Sequence, residues 1–331
     1  MAGELTHARI GRRALLGSLP LGALGLATAQ VRAADGVFIV GSADAPASSV
    51  EAMEQLRRDM EQTTRGRYAF TLDHVGPADD KAALEQVRSG EATLGWIRVA
   101  ELTELAPEIA TLSVPFLFMD QKKLMALLDR TSAAPLLDNQ LRKQGLEPLG
   151  YLDGGALRLV GASASSFRDL QGRQITARPG SLRKVAFETL GLTMLASTPQ
   201  PQQAAGDNLL ELRTDDLLAF AGAGQGLTIA EPPHAYDLMV MVAHRGRYGD
   251  LPIDIRETLR TKTAETAAWQ RGAAVQSDAV ALQSLHAHGV ALSTLPEDER
   301  REAHDRVKAA VAGSLRDADQ SILSTVLAYA D

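Results

Sequence analysis

Residues 253–288 read IDIRETLRTKTAETAAWQRGAAVQSDAVALQSLHAH, a stretch without proline that contains a single glycine, Gly272. Alanine, leucine, glutamine, glutamate and arginine dominate it, and these residues favour helix. At about 1.5 Å per residue such a helix spans roughly 50 Å, more than the width of a lobe built from half of this chain. Either Gly272 divides the stretch into two helices, or one helix braces two lobes. We favour the single bracing helix.

Strand and helix patterns alternate in two separate runs before this stretch. The first run has strand patterns at 37–40, 68–72 and 93–99 and helix patterns starting at 48 and spanning 79–89; the second has strand patterns at 157–160 and 175–178 and a helix pattern at 182–190. Ser181 is expected to cap the helix of the second run. This order implies largely parallel sheets covered by helices, and the predicted fold class is α/β with two lobes.

Composition narrows the functional classes. The 331 residues include 34 Lys and Arg against 41 Asp and Glu, 45% hydrophobic residues and no cysteine. The hydrophobic fraction supports a folded core. The absence of a basic tract argues against nucleic-acid binding. Without cysteine there are no disulfides, iron–sulfur clusters or thiolate zinc sites.

The first 33 residues have the order of an export signal. Arg9, Arg12 and Arg13 precede an uncharged run from Ala14 to Gln30, and the small-residue sites Ala27-Thr28-Ala29 and Val31-Arg32-Ala33 follow. We interpret 1–33 as a signal peptide cleaved near Ala29 or Ala33, for a periplasmic protein. A membrane anchor is the alternative, although the run is shorter than the roughly 20 residues needed to span a bilayer. The Arg12-Arg13 pair leaves twin-arginine export open beside the general route.

Catalytic and metal-binding motifs do not assemble. Gly222 to Gly226 lacks the spacing of a dinucleotide loop and opens no βα unit. Ser181 to Lys184 fits S-x-x-K, but the companion motifs S-D-N and K-T-G are absent. His286 and His288 point to different faces of a helix, which makes them poor joint metal ligands. We therefore expect no enzyme, no cofactor and no metal.

Arginines are expected near the carboxyl ends of the predicted strands, where loops converge on a ligand cleft. Arg98, Arg158 and Arg178 occupy such positions. Arg178 is the best candidate, because a guanidinium can bind a carboxylate through two parallel hydrogen bonds and the helix that follows favours negative charge. Each of them could instead form a surface salt bridge. Trp96 either lines the cleft or belongs to the core, and we favour the core.

Several segments resemble the extracytoplasmic solute-binding subunits of tripartite ATP-independent periplasmic (TRAP) transporters. They are Leu84 to Gly90, Leu94-Gly95, Leu105 to Glu108, Val114 to Asp120, Leu170 to Ile175, Leu190-Gly191, Leu251-Pro252 and Leu285 to Val290. The resemblance covers most of 37–311, and its most specific part is the P-F-L-F segment with the upstream P-E pair. It implies a two-lobed periplasmic-binding-protein fold, a long helix bridging both lobes, and closure around an organic acid.

The resemblance also implies a strand arginine that clamps the ligand carboxylate. At equal spacing between Ile175 and Gly191 that position holds Thr176, and Arg178 lies two residues further, on the same face of a strand. Arg178 is therefore the expected substitute for the clamp. A second arginine of the family falls near Leu157, beside Arg158, and Glu211 loosely matches an acidic strand motif of the family.

Our prediction is a solute receptor that captures a small organic acid and delivers it to the membrane permease of a TRAP transporter. The predicted ligand contacts are Arg178, Thr176, Arg98, Arg158, Trp96 and Glu211. Residues 34–155 form the first lobe with a return segment at about 237–265, and residues 156–236 form the second, completed by about 270–331. The alternatives are a ligand sensor for a membrane kinase and an exported enzyme on the same scaffold.

Overall fold

The computed structural model of the protein describes residues 36–74, 76, 77, 79–161, 166–200, 203, 208–219 and 227–330. The predicted signal peptide at 1–33 and the glycine-rich segment Gly222 to Gly226 lie outside the described residues. Within these ranges, no helix combines the length and the apolar character that crossing a membrane requires.

Strands of the described chain form one mixed sheet. They are β1 (Val37–Val40), β2 (Phe70–Asp73), β3 (Leu94–Arg98), β4 (Leu146–Gly161), β5 (Gln174–Ala177), β6 (Thr193–Ala196), β7 (Leu209–Arg213), β8 (Thr228–Glu231), β9 (Ala235–His244) and β10 (Ala291–Thr294). The order along the sheet is β2-β1-β3-β9-β4-β7-β5-β6, with β8 pairing β4 and β10.

Parallel strands lie at both ends of the sheet. At one end β1 pairs in parallel with β2 and β3, and at the other β5 pairs in parallel with β6 and β7. The two long central strands β4 and β9 are antiparallel to each other and connect these ends. The predicted α/β fold class is thus confirmed. The predicted lobe boundaries stay a prediction.

Helices cover both faces of the sheet. They are α1 (Ala47–Thr63), α2 (Asp80–Ser89), α3 (Gln121–Arg130), α4 (Ala133–Lys143), α5 (Phe167–Leu170), α6 (Ser181–Thr189), α7 (Thr214–Ala219), α8 (Arg245–Asp250), α9 (Ile253–Ala287), α10 (Glu297–Ser314) and α11 (Gln320–Tyr329), with 3-10 segments at Val99–Leu102 and Pro107–Ser113. The expectation that Ser181 caps α6 is wrong, because Gly180 occupies the cap position and Ser181 begins the helix.

The long helix α9 is continuous over 35 residues, which confirms the single bracing helix. It packs against α1, which follows the first strand, against the central strand β4, and against α7, which follows β7. Gly272 lies within the helix and has no atom within 4 Å of the place a Cβ would take. A single glycine costs a helix only about 1 kcal/mol relative to alanine. The contacts on both sides therefore suffice to keep the helix unbroken.

Hydrophobic side chains form a core on each face of the sheet. Along β9, Met239 and Met241 belong to one core, whereas Val240 and Val242 belong to the other. Successive side chains of a strand point to opposite faces, so a strand covered on both faces is apolar throughout. Trp96 is fully buried in the same core as Met239, the role favoured from the sequence.

Candidate functional site

Four charged residues meet where the parallel strands of the two ends of the sheet finish. Asp44 lies in the turn after β1, Arg98 ends β3, Arg178 follows β5, and Arg213 ends β7. β1 and β3 are parallel, and so are β5 and β7. The charged residues at the carboxyl ends of each pair therefore lie at one edge of the sheet. We call the space between these two sets of loops the gap.

Asp44 is the common partner of the three arginines in the gap. Its carboxylate accepts from Arg178 Nη2 at 2.6 Å and from Arg98 Nη1 at 3.2 Å. Its main-chain oxygen accepts from Arg98 Nη2 at 2.9 Å and from Arg213 Nη2 at 3.1 Å. Burial alone would raise the pKa of Asp44, but the Arg98 and Arg178 guanidiniums outweigh it and hold that pKa well below its usual range. Asp44 is therefore a carboxylate at every physiological pH.

Arg178 lies in the gap, and most of its donors have no partner among the described residues. Its side chain is 23% exposed. Of the five N–H donors of a guanidinium, one reaches Asp44, and among the described residues no other partner is present. Arg178 lines two cavities, one of about 530 Å³ shared with Glu101 and Glu104 and one of about 410 Å³ shared with Asp44 and Arg213. The arginine preferred from the sequence thus lines both cavities, and its role as a ligand contact stays a prediction.

The wall of the larger cavity opposite Arg178 is acidic. It carries Asp79, Glu85, Glu101 and Glu104. Burial, and then the neighbouring Asp80 and Asp79 carboxylates, raise the pKa of Glu101, whereas Arg178 acts in the opposite direction. Lys81 and Arg88 also line this cavity. The wall therefore carries charges of both signs, with more carboxylates than cationic groups.

Arg98 is built into the structure rather than presented to a ligand. It is 1% exposed. Its Nε donates to Asp237 Oδ2 and its Nη1 to Asp80 Oδ2, both at 2.7 Å. Burial would lower the pKa of Arg98, and the Asp237 and Asp80 carboxylates raise it above its ordinary value. With Asp44 as third partner, the guanidinium is surrounded by protein acceptors, and this geometry does not favour a ligand contact.

Arg158 faces the bracing helix. It donates to both carboxylate oxygens of Asp278 in α9, at 2.7 and 2.8 Å, to Thr214 Oγ1 at 2.7 Å, and to Glu231. The residue is 3% exposed. Its role in the geometry is to tie β4 to α9.

Glu211 and Thr176 are buried as well. Glu211 pairs with Arg183 and lies 3.0 Å from Nε2 of His234. Burial, followed by the Arg183 charge, lowers the pKa of His234 well below its usual value, so its neutral ring donates from Nε2 to the Glu211 carboxylate. Thr176 is 8% exposed within β5. As ligand contacts, Thr176, Glu211, Arg98, Arg158 and Trp96 stay predictions that this arrangement does not favour.

Asp44 and Arg213 were missed by the sequence analysis. Both stand at the carboxyl end of a strand, the same criterion that selected Arg98 and Arg178. Arg213 escaped because β7 was recognised only through a loose acidic motif, and Asp44 because only cations were sought. The described ranges hold no group of three His, Asp or Glu side chains placed to bind an ion.

Comparison with known proteins gives consistent results. The family described as DctP, bacterial extracellular solute-binding protein, family 7, matches residues 40–199 and 225–317. A TRAP periplasmic solute-binding protein from Ochrobactrum anthropi, with its C-terminus bound in the ligand-binding pocket, is 16% identical with a TM-score of 0.80, covering 89% of this chain and 94% of that one. The sugar acid binding protein of Advenella mimigardefordensis in complex with galactonate is 19% identical with a TM-score of 0.76, covering 88% and 97%.

A curated solute-binding protein from Sulfitobacter sp. (strain NAS-14.1) is 26% identical over 195 residues. The match covers 56% of this chain and spans 58% of that relative.

Proposed function

Because the chain belongs to family 7 of the bacterial extracellular solute-binding proteins, we propose that it captures a small organic acid in the periplasm and delivers it to a TRAP-type membrane permease. The ligand is bound and released without chemical change. The signal peptide at 1–33 is removed on export. The galactonate complex of the Advenella protein supports an acid as the ligand class.

The gap between the two strand ends is the proposed binding site. The observation that carries this assignment is Arg178, whose guanidinium is held by Asp44 at 2.6 Å and lines both cavities with its other donors unused within the described chain. A carboxylate can accept two parallel hydrogen bonds from the edge of the fork that Asp44 leaves open. Asp44 then serves to hold the guanidinium across the gap.

We propose that the lobes close by bending of the two central strands, β4 and β9. The register of β4 on β9 shifts between Asp153 and Gly155, opposite Leu238 and Asp237. Gly155 has φ +107°, a backbone conformation open mainly to glycine. A bulge with such a residue is a weak point of the ladder. It supports dividing the lobes at 155/156 and 236/237, with α9 packed along both.

A thermal-shift screen of small organic acids tests this function. A ligand that binds only the folded state raises its melting temperature. In Arg178→Ala the shift is expected to disappear, whereas the unliganded melting temperature changes little, since a partly exposed ion pair contributes only about 0–1 kcal/mol.

The matched control is Arg57→Ala on α1. Arg57 is 24% exposed and pairs with Glu54 and Glu61, which are 36% and 39% exposed, against 23% and 35% for Arg178 and Asp44. Arg57→Ala should keep the full ligand shift. An undiminished shift in Arg178→Ala would place the acid elsewhere.

A further inference from the structure

A glutamine of the long helix bonds to the central strand β4 at its bulge. From Leu157 onward β4 pairs with β7, but before that point its only strand partner in the described chain is β9. The main-chain N–H of Asp153 donates to Gln270 Oε1 at 2.9 Å, and Gln270 Nε2 donates to the main-chain oxygen of Asp153 at 2.7 Å. Gln270 is fully buried. Because a primary amide carries a donor and an acceptor, as a peptide group does, Gln270 takes the place of a neighbouring strand.

Gln270 also joins this point of β4 to the first turn of α1. Its Nε2 donates to Ser48 Oγ at 3.2 Å, and Ser48 lies four positions after Asp44, which stands in the gap. We call these contacts of Gln270 the first clamp. The next residue of α9, Arg271, donates to the main-chain oxygen of Tyr151 at 3.0 and 2.8 Å. That attachment is further from the bulge, so α9 stays fixed to β4 even without Gln270.

Asp278, further along α9, forms a second clamp beyond the bulge. Its carboxylate accepts from Arg158 Nη1 and Nη2 at 2.7 and 2.8 Å and from Thr214 Oγ1 at 2.7 Å. Arg158 belongs to the part of β4 that follows the bulge, and Thr214 directly follows Arg213 at the other side of the gap. The bulge therefore lies between two points at which the same helix is fastened.

The two clamps restrict the angle at which β4 can bend. Gln270 and Asp278 are eight positions apart in α9, about 12 Å along a helix. Both clamps are formed in this structure, in which Arg178 reaches across the gap to Asp44 at 2.6 Å. Bending the strand at its bulge changes the distance between the two clamped points, whereas the helix keeps its length. The first clamp holds main-chain atoms and the second joins side chains that can turn, so the bonds of Gln270 are the ones lost on opening.

We propose, on the premise of the lobe closure described above, that Gln270 is a positioning residue for closure, whose bonds to Asp153 are complete only when the gap is closed. Gln270 thus strengthens ligand binding without touching the ligand, because apparent affinity rises with the fraction of protein in the binding-competent form. Asp278 supplies the second fixed point of the helix.

The open and closed forms can be counted in the ligand-free protein. The chain has no cysteine, so nitroxide labels can be attached at Arg58→Cys on α1 and Lys184→Cys on α6, whose side chains are 52% and 59% exposed. Pulsed electron–electron double resonance then measures the distance between the two predicted lobes. Gln270→Met should lower the ratio of the short-distance to the long-distance form by about tenfold, the effect of a net hydrogen-bond contribution at the upper end of its usual range.

Gln276→Met is the matched control, because it makes the same change at an exposed position of α9 and should leave the distances unaltered. A purely structural role for Gln270 would lower the melting temperature and leave the distances unaltered as well. Gln270→Asn, whose shorter amide cannot reach both main-chain groups, replaces Gln270→Met if that protein does not fold.

A double variant tests whether the two clamps act together. Asp278→Asn should shift the distances in the same direction as Gln270→Met, and the two changes combined should add little to either alone, because releasing one clamp already frees the strand. Fully additive shifts would overturn the joint action of the clamps.

Equal distance distributions in the wild type and in both Gln270 variants overturn the positioning role, whatever the ligand is. The organic-acid function is judged separately, by adding succinate or galactonate to the labelled wild type together with the thermal-shift screen. Distances and melting temperatures that no acid changes would contradict that function, whereas the ligand-free comparison still decides the role of Gln270.

Discussion

Arg98→Met is expected to lower the free energy of unfolding by about 3–5 kcal/mol, the usual cost of removing one partner from a buried ion pair. Arg98 is 1% exposed and donates to Asp80 and Asp237, which are 3% and 4% exposed. Without the guanidinium these carboxylates stay buried with no ion-pair partner among the described residues. Urea unfolding at neutral pH measures the loss.

The pH dependence of this loss identifies its cause. Burial raises the pKa of Asp80 even beside Arg98, and in Arg98→Met it should rise further. A carboxyl whose pKa is raised in the folded state contributes stability at low pH that is lost as the pH rises. The deficit of Arg98→Met should therefore shrink towards pH 4. A deficit below about 1 kcal/mol, or one independent of pH, would contradict the structural role of Arg98.

The sequence predicted β1, β2, β3, β5 and α9 because the signals that mark them are local. Runs of apolar residues mark β1 and β3, and the absence of proline marks α9. The central strand β4 was predicted only over 157–160, although it begins at Leu146. Pro148, Gly150, Gly154 and Gly155 punctuate the earlier part, and such residues normally end a strand. They are tolerated here because the register on β9 shifts at Pro148/Gly150 and Asp153/Gly155.

The sequence predicted arginines at the candidate site, but it did not predict which of them the fold pairs with buried carboxylates. Arg98, Arg158 and Arg178 all stand near strand ends and have the same local signature. Their roles are decided by carboxylates far away in sequence: Asp237 is 139 positions from Arg98, and Asp278 is 120 positions from Arg158. Only the fold brings these partners together. It leaves Arg178 with a single partner in the described chain, Asp44, across the gap.

Asp153→Asn is expected to stabilise the protein at pH 7 and above by up to about 4 kcal/mol, because a pKa raised from 3.8 to about 7 is worth about 1.4 kcal/mol for each unit. Asp153 is 1% exposed in β4. Burial, with the Asp278 and Asp237 charges, raises its pKa to about 7, although the Gly155 N–H at 2.8 Å and the Gln121 side chain act in the opposite direction. The folded state therefore holds this proton more tightly than the unfolded chain.

The direction of the pH dependence follows from the difference in the pKa of Asp153 between the folded and the unfolded chain. The stability contributed by protonated Asp153 is fully present below about pH 4 and is lost as the pH rises through about 7. Asparagine removes this titration and keeps the contacts, because its oxygen can accept from Gly155 and the Gln121 amide can turn to accept from its NH₂. Urea unfolding of both proteins at pH 5, 7 and 8.5 should give curves that separate as the pH rises.

Asp254→Asn is the control. Asp254 is exposed and pairs with Arg67, which lowers its pKa, so this variant should gain no stability at alkaline pH. Parallel pH profiles for Asp153→Asn and the wild type would show that the Asp153 carboxyl is ionised in the folded protein across the whole range.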